Sequence, residues 1–277
     1  IGAMSNCTNN GLISTAKGSK STAGMILSGI TGYLSSDVTT VTLSNLHNTN
    51  KVVHYGSATS AYVGGIIGNT AKAYLKDCTN TELVSVASGS TASKIVRASG
   101  IASTLTEGSI LENCTNSGGV TMYPKVTTEA GRCVAVGGIA AEVANSSTIS
   151  GCKNSGPINI HSQDAETVLQ EANAFRVGGI VGDCTAATVE NCENLESAVI
   201  NARNPYTGIS VGGIIGTGGN GCAVSGCKNH ATVKMEKGGG TAAGIDALMG
   251  GICGSGATAM SFNNCENLGA VAYQYSE

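Results

Sequence analysis

Tryptophan is absent from this sequence, and proline, phenylalanine and charged residues are scarce. The 277 residues include 3 Pro and 2 Phe, and only 12% of them are charged. An ordinary globular domain is about a quarter charged, so this composition excludes a bundle of long, solvated helices. The scarcity of Pro, together with a hydrophobic share of 41%, also argues against a disordered linker.

Long runs are missing as well, whether of charged or of apolar residues. The net charge is −3 and no run of Lys or Arg occurs, so we expect no nucleic-acid partner and no binding to an anionic membrane surface. No apolar stretch approaches the roughly 18 residues of a transmembrane helix, which predicts no membrane span in this segment. The chain begins at Ile1 rather than at Met, and we expect it to be a segment of a longer protein.

Glycine, by contrast, is abundant, and much of it belongs to a repeated motif. The chain has 40 Gly, and a Gly-Ile pair, usually Gly-Gly-Ile, recurs along its whole length. Such a period identifies a repeat architecture before any single element is assigned. The pairs are Gly29-Ile30, Gly65-Ile66, Gly100-Ile101, Gly138-Ile139, Gly179-Ile180, Gly213-Ile214 and Gly251-Ile252.

A second motif, Asn-Cys-x-Asn or a close variant, follows each Gly-Ile pair. Its Cys position holds Cys7, Leu46, Cys78, Cys114, Cys152, Cys192, Cys227 and Cys265. Two residues later every row has Asn, at Asn9, Asn48, Asn80, Asn116, Asn154, Asn194, Asn229 and Asn267. Leu46 indicates that the Cys position accepts a small apolar residue, and the longer spacing from Gly29 to Leu46 predicts an insertion in that coil.

The apolar residues of each repeat predict strands. They stand two apart in three short segments, which is the period of a strand that buries one face, and Gly and Asn separate the segments as turn residues. No amphipathic helix lies between the segments, which excludes βαβ units. The sequence therefore predicts an all-β fold, a right-handed parallel β-helix of about seven to eight coils with three strands each. We expect residues 1–277 to form one such domain.

The segments between the third strand and the next Gly-Gly-Ile vary in length, as loops on one side of a solenoid do. The longest runs from His161 to Arg176, and residues 165–172 within it have the composition of a short helix. Most of these segments return through alternating apolar residues such as Cys133 to Val136, which predicts hairpin arms for some of them.

The Gly and Asn columns favour a structural interpretation. Gly suits a bend where strands pack across a narrow core, and no helix follows the motif to form a phosphate site. A side-chain amide in the Asn column can bond to its counterpart one coil away or to the turn backbone. We therefore expect no ligand at either column.

The Cys column is predicted to be a ladder of buried free thiols that pack as small hydrophobic groups. Stacked residues have nearly parallel Cα–Cβ bonds, which is a poor geometry for disulfides. The paired Cys and His spacing of a zinc site is missing, so we expect no metal and no other cofactor. Cys133, Cys184, Cys222 and Cys253 lie outside the column, and their pairing is left open by the sequence.

Catalysis is an alternative function, because several β-helix proteins cleave polysaccharides. Glycoside hydrolases need two facing carboxylates, and lyases need a base, often with Ca²⁺ held by acids. The best acidic set is Glu190, Glu193, Glu196 and Glu266, but Thr, His and Lys occupy the same column elsewhere, which indicates a solvated face. The densest group of catalytic residue types is His161, Asp164 and Glu166, on the longest loop.

The combination Val-Gly-Gly-Ile-(Val/Ile)-Gly followed by Ile-x-x-Cys-x-Asn-x-Gly-x-Val resembles the GLUG-type repeats of bacterial surface proteins and adhesins, which are common in gut Bacteroidetes. Val136 to Ile160 and Val177 to Val199 carry the resemblance best. It implies an exported or cell-surface, non-enzymatic protein with a structural or adhesive role.

Partners of such a protein would be a host or cell-surface protein or a glycan. End-to-end stacking or continuation into further domains is also expected, since neither end shows a polar capping repeat. A carbohydrate-active β-helix enzyme, either a polysaccharide lyase or a glycoside hydrolase, is the alternative function.

Overall fold

The chain folds as a parallel β-solenoid, seen in a computed structural model. The structure describes residues 3–19, 21, 23–35, 40–56, 58–86, 95–123, 133–161, 174–204, 208–237 and 247–275. Within these ranges all strand pairs are parallel, and strands join five sheets that run along the solenoid axis. Sheets 1 and 2 have seven strands each, and sheets 3, 4 and 5 have eight.

Each coil visits the five sheets in the same order. Sheet 1 contains Met25–Ser28, Ser60–Gly64, Ile95–Ser99, Cys133–Gly137, Ala174–Gly178, Ile209–Gly212 and Ala247–Gly250. Sheet 2 follows the Gly-Ile pair and contains Thr31–Ser35, Ile67–Ala71, Ala102–Thr106, Ala140–Ala144, Val181–Thr185, Ile215–Gly218 and Cys253–Gly256. Sheet 3 precedes the Cys column and contains Ala3–Ser5, Val41–Ser44, Ala73–Lys76, Ile110–Glu112, Thr148–Ser150, Thr188–Glu190, Ala223–Ser225 and Ser261–Asn263.

The last two sheets complete the coil. Sheet 4 carries the Asn column in the strands Thr8–Asn9, His47–Asn48, Thr79–Asn80, Thr115–Asn116, Lys153–Asn154, Glu193–Asn194, Lys228–Asn229 and Glu266–Asn267. Sheet 5 contains Ile13–Ser14, Val52–His54, Val84–Val86, Val120–Met122, Ile158–Ile160, Ile200–Asn204, Val233–Lys237 and Val271–Tyr275.

Two details of the predicted coil were wrong. A coil has five strands rather than three, because the Gly-Ile pair splits one predicted strand into sheets 1 and 2 and the Asn column forms a short strand of its own. The segment from Cys133 is not a hairpin arm, since Cys133–Gly137 pairs in parallel with Ile95–Ser99 and Ala174–Gly178. The predicted helix at 165–172 and residues 36–39 of the predicted insertion lie outside the described residues.

The corner between sheets 3 and 4 explains the first position of the Asn-Cys-x-Asn motif. The residue before the Cys column has a positive φ in every coil, for example 53° at Asn113 and 62° at Gly151. Asn, Asp and Gly tolerate this left-handed conformation better than other residues. The sequence at this corner therefore follows from the backbone turn that each coil needs.

The interior has two separate hydrophobic clusters. One cluster lies between sheets 2 and 3 and contains the buried thiols together with residues such as Ile66, Leu75 and Leu111. The other lies between sheets 1 and 5 and contains residues such as Val63, Val84 and Met122. The boundary between them is where the Asn column meets the Gly-Ile corner.

Contact between the Gly and Asn columns closes this boundary. A Cβ atom built on Gly65, Gly138 or Gly213 would collide with the amide carbon of the Asn that follows it in the same coil. It would also collide with the carbonyl oxygen of the stacked Gly of the next coil. Glycine is thus required here because of close approach, and the corner folds inward until it touches sheet 4.

Candidate functional site

The Asn column forms a continuous amide ladder through the interior. Asn80 Nδ2 donates to Asn116 Oδ1 at 2.8 Å, and Asn116 Nδ2 donates to Asn154 Oδ1 at 2.9 Å. The same donor pattern joins Asn9, Asn48, Asn80, Asn116, Asn154, Asn194, Asn229 and Asn267.

Each amide also serves its own turn. Asn116 Nδ2 donates to the carbonyl of Gly118 at 2.8 Å, and the equivalent bond recurs from Asn80 to Glu82. The inner members of the ladder have no exposed surface. Their hydrogen-bonding groups are used inside the scaffold, which is the role expected from sequence and leaves no ligand position there.

The Cys column consists of free thiols. Cys78, Cys114, Cys152, Cys192 and Cys227 are buried, and Cys7 and Cys265 are partly exposed in the first and last described coils. Each buried thiol lies near a backbone carbonyl two residues earlier, as with Cys114 Sγ and Glu112 O at 3.4 Å. Among the described residues no group of His, Cys, Asp and Glu is arranged to hold a metal ion.

Two of the cysteines outside the column form a disulfide. Cys184 in sheet 2 is bonded to Cys222, which precedes sheet 3 one coil later, and their Cα atoms are 5.9 Å apart. Both residues are buried in the cluster between sheets 2 and 3. Cys133 and Cys253 are free and partly exposed.

The loop group predicted from sequence is placed only in part. His161 is exposed and directly follows the sheet 5 strand Ile158–Ile160, whereas Asp164 and Glu166 lie outside the described residues. The His161 ring stacks on Tyr123, with ring centroids 4.8 Å apart and an interplanar angle of 15°. His161 therefore contacts an aromatic ring of the neighbouring coil.

The acidic set on sheet 4 and its corner is partly neutralised by lysines in the same column. Glu193 pairs with Lys153 at 2.9 Å, and Glu266 pairs with Lys228 at 3.4 Å. The hydrogen bond from Lys153 lowers the pKa of Glu193. Surface ion pairs of this kind contribute little to the alignment of adjacent coils. Glu193 and Glu266 each have a lysine partner, so they are not the two free, facing carboxylates that a glycoside hydrolase needs.

Buried charges lie where the outward faces of sheets 1 and 2 approach each other, and sequence reasoning missed them. Arg97 pairs with Glu142 of the next coil, and Arg176 pairs with Asp183 of its own coil. Arg97 and Asp183 are each only 7% exposed. Burial raises the pKa of Asp183, the Glu142 charge adds to this, and Arg176 opposes it.

This group is suited to holding coils together rather than to chemistry, because each carboxylate already has a guanidinium partner. A signal was present in the sequence, since Arg97 and Arg176 stand at outward positions of sheet 1 opposite acids of sheet 2. This charge pattern could be recognised only once the corner at the Gly-Ile pair was known to bring sheets 1 and 2 together.

The outward face of sheet 5 is a described surface where polar and aromatic side chains lie beside a cavity. In register across successive coils, one column holds Thr121, Asn159, Asn201 and Lys234. The adjacent column holds Tyr123, His161, Arg203 and Glu236. We call these two columns the sheet 5 face, and a cavity of about 250 Å³ opens on it beside Asn159, His161, Asn201, Arg203 and Glu236.

Comparison with known proteins adds no further site. No protein-family model matches the sequence, and the comparisons with curated proteins and with solved structures found no match. The described part of the chain contains no helix that could cross a bilayer.

Proposed function

We propose that this chain is a non-enzymatic structural and adhesive repeat protein of the cell surface or of a secreted assembly, with GLUG-type repeats. Its scaffold presents variable connections that bind a host or cell-surface protein or a glycan. The repeats supply a rigid support, and the residues that differ between coils supply recognition.

One observation carries the proposal, namely where the variable connections begin and end. They all leave sheet 5 and return to sheet 1, at 15–24, 55–59, 87–94, 123–132, 161–173, 205–208 and 238–246. The corner between sheets 3 and 4 has the same length in all coils. Length variation is thus concentrated at one edge of the solenoid, as in repeat proteins that use this edge for binding.

The Cys184–Cys222 disulfide supports export. Disulfides persist in oxidising compartments and are rare in the cytosol of most organisms. The buried column thiols are compatible with the same environment, because the surrounding coils protect them from oxidants.

The proposal is tested with beads coated with the purified chain and applied to cultured epithelial cells. A variant in which 161–173 is replaced by the shorter connection 205–208 should bind fewer cells, while Lys153→Ala on sheet 4 should bind as the parent does. Adhesion of parent-coated beads no greater than that of uncoated beads would contradict an adhesive role. Equal adhesion by the shortened variant and the parent would contradict a role for this connection.

Catalysis is tested separately by incubating the chain with a panel of polysaccharides and measuring reducing ends and unsaturated products. We expect no release above that of a heat-denatured sample. Enzymatic turnover would favour the carbohydrate-active alternative instead.

A further inference from the structure

The sheet 5 face presents hydrogen-bonding side chains in rows that follow the solenoid axis. Asn201 Nδ2 donates to Asn159 Oδ1 at 3.1 Å, so the amides of adjacent coils are aligned. Both Asn residues are half-buried, and Arg203 and His161 beside them are exposed. Adjacent coils are about 4.8 Å apart, so a hydrogen-bonding side chain stands at this interval in the column of Thr121, Asn159, Asn201 and Lys234.

An aromatic platform lies at one end of these rows. The stacked rings of Tyr123 and His161 continue the column that contains Arg203. Aromatic rings offer a flat apolar surface with a polar edge, which suits a ligand that has both C–H and hydroxyl faces.

The charges of this face leave an excess cation. Lys234 Nζ is 2.8 Å from Glu236 Oε1, so these two charges compensate each other. Among the described residues, Arg203 has no carboxylate oxygen within 4.0 Å. A guanidinium in this position can bind a carboxylate or a sulfate through two parallel hydrogen bonds.

The size of the cavity limits the ligand. At about 250 Å³ it is smaller than the roughly 300–1,000 Å³ of pockets that enclose a drug-sized molecule. It therefore fits a single ring-sized unit with polar substituents.

We propose that the sheet 5 face binds an acidic polysaccharide, with one sugar unit in this cavity and the polymer running along the coils. Asn159 and Asn201 bind sugar hydroxyls, Arg203 binds the acidic group, and Tyr123 and His161 pack against a sugar ring. The inference rests on the proposed adhesive function and names the ligand class for it.

Other classes of partner fit this face less well. A protein interface has an apolar, fully desolvated centre, whereas five of the seven residues that line the cavity carry amide, imidazole, guanidinium or carboxylate groups and only Ile160 and Ala202 are apolar. Nucleic acid requires several cations that neutralise successive phosphates, and the described side chains of this face have a single cation in excess. Because the net charge of the chain is −3, a polyanion is not attracted by the overall charge of the protein, and its binding requires a specific site.

The test is affinity electrophoresis of the whole chain in native gels that contain polygalacturonate, heparin or neutral dextran. We expect retardation by at least one of the two acidic polymers and none by dextran. Arg203→Ala should weaken the binding about tenfold or more, as loss of a charge-assisted hydrogen bond does. Asn201→Ala should weaken it severalfold.

Lys153→Ala is the matched control, because it removes the same charge from the outward face of sheet 4 and should change the affinity less than about twofold. Equal weakening by Lys153→Ala and Arg203→Ala would overturn the proposal, as would equal retardation by dextran or no retardation in any gel. If Arg203→Ala keeps full adhesion to cells while shortening 161–173 abolishes it, the inference fails and the adhesive function stands.

Discussion

The side-chain amide of Asn116 occupies the space that a Cβ atom on Gly100 would need. The same relationship links Gly65 with Asn80 and Gly138 with Asn154, so it is a repeated element of the coil. The Gly allows the corner to fold inward, and the Asn satisfies the buried polar groups that this inward fold brings together. Each column of the repeat therefore depends on the other.

Replacing Gly100 with Ala should destabilise the protein strongly. The new Cβ would collide with the Asn116 amide and with the Gly138 carbonyl, and overpacking of this kind costs about 3 kcal/mol. Urea unfolding followed by circular dichroism measures the loss. Gly119→Ala is the matched control, because its Cβ would lie 3.6 Å from Pro157 O, an ordinary contact. A loss at Gly100 no larger than at Gly119 would contradict the steric account.

Breaking the amide ladder in the middle should cost more than breaking it at its end. Asn116→Ala removes the acceptor of Asn80 and the donor to Asn154, both of which are buried. Unsatisfied buried groups cost about 1–3 kcal/mol each, so we expect a loss of about 3 kcal/mol in the free energy of unfolding.

Asn9→Ala provides the comparison for this prediction. Asn9 is only partly buried and lies at the end of the ladder. Its removal takes a ladder partner from Asn48 alone, whereas removal of Asn116 takes one from each of two neighbours. Water can replace the missing bond, so we expect a loss of less than about 1 kcal/mol. Similar losses for the two variants in urea titrations would show that the ladder is not the source of the stability.

The sequence could predict the features that recur at the same position of successive coils. Asn116 and Cys114 belong to columns that repeat in nearly every coil, so their shared environment could be inferred before any coordinates. The number of strands per coil could not be predicted, because the sheet 4 strands, such as Thr79–Asn80, are too short to show a hydrophobic period.

Features that occur in only one or two coils were not predictable in this way. Arg97 and Glu142 pair across neighbouring coils, but their columns are not uniform. Arg recurs two coils later at Arg176, with Ala135 between, and Asp183 takes the place of Glu142 in the next coil. Cys184 and Cys222 occupy different columns, one within sheet 2 and one before sheet 3, and they become neighbours only because one coil lies directly above the other. The sheet 5 face is likewise built from residues that differ from coil to coil.

The Cys184–Cys222 disulfide should stabilise the oxidised protein measurably. It closes a segment with a sequence separation of 38 residues, for which the loss of unfolded-chain entropy corresponds to about 4 kcal/mol. We expect dithiothreitol to lower the thermal midpoint of the parent chain and to leave that of a Cys184→Ala, Cys222→Ala double variant unchanged.

Alkylation in denaturant without reductant gives an independent check of the pairing. Mass spectrometry should find Cys133 and Cys253 modified and Cys184 and Cys222 unmodified, since the first two are free. Modification of Cys184 in the denatured but unreduced protein would contradict the disulfide between Cys184 and Cys222.

His54 should make the stability depend on pH, and replacing it should remove this dependence. The side chain is 1% exposed in the cluster between sheets 1 and 5, and Nε2 has no hydrogen-bond partner among the described residues. Burial lowers the pKa of His54 below 6.5. The unfolded chain therefore binds a proton before the folded chain does, and stability falls as the pH drops below about 6.5.

The residue in register with His54 in the next coil is Val86, so Val fits this position. We expect His54→Val to raise the free energy of unfolding by about 1 kcal/mol at pH 8, because it removes an unsatisfied buried nitrogen. The advantage should be larger at pH 5, where the parent is penalised for protonating the buried ring. Urea titrations at both pH values measure this, with His161→Val as the control at an exposed position. An advantage that shrinks at pH 5 would mean that His54 is already protonated in the folded protein.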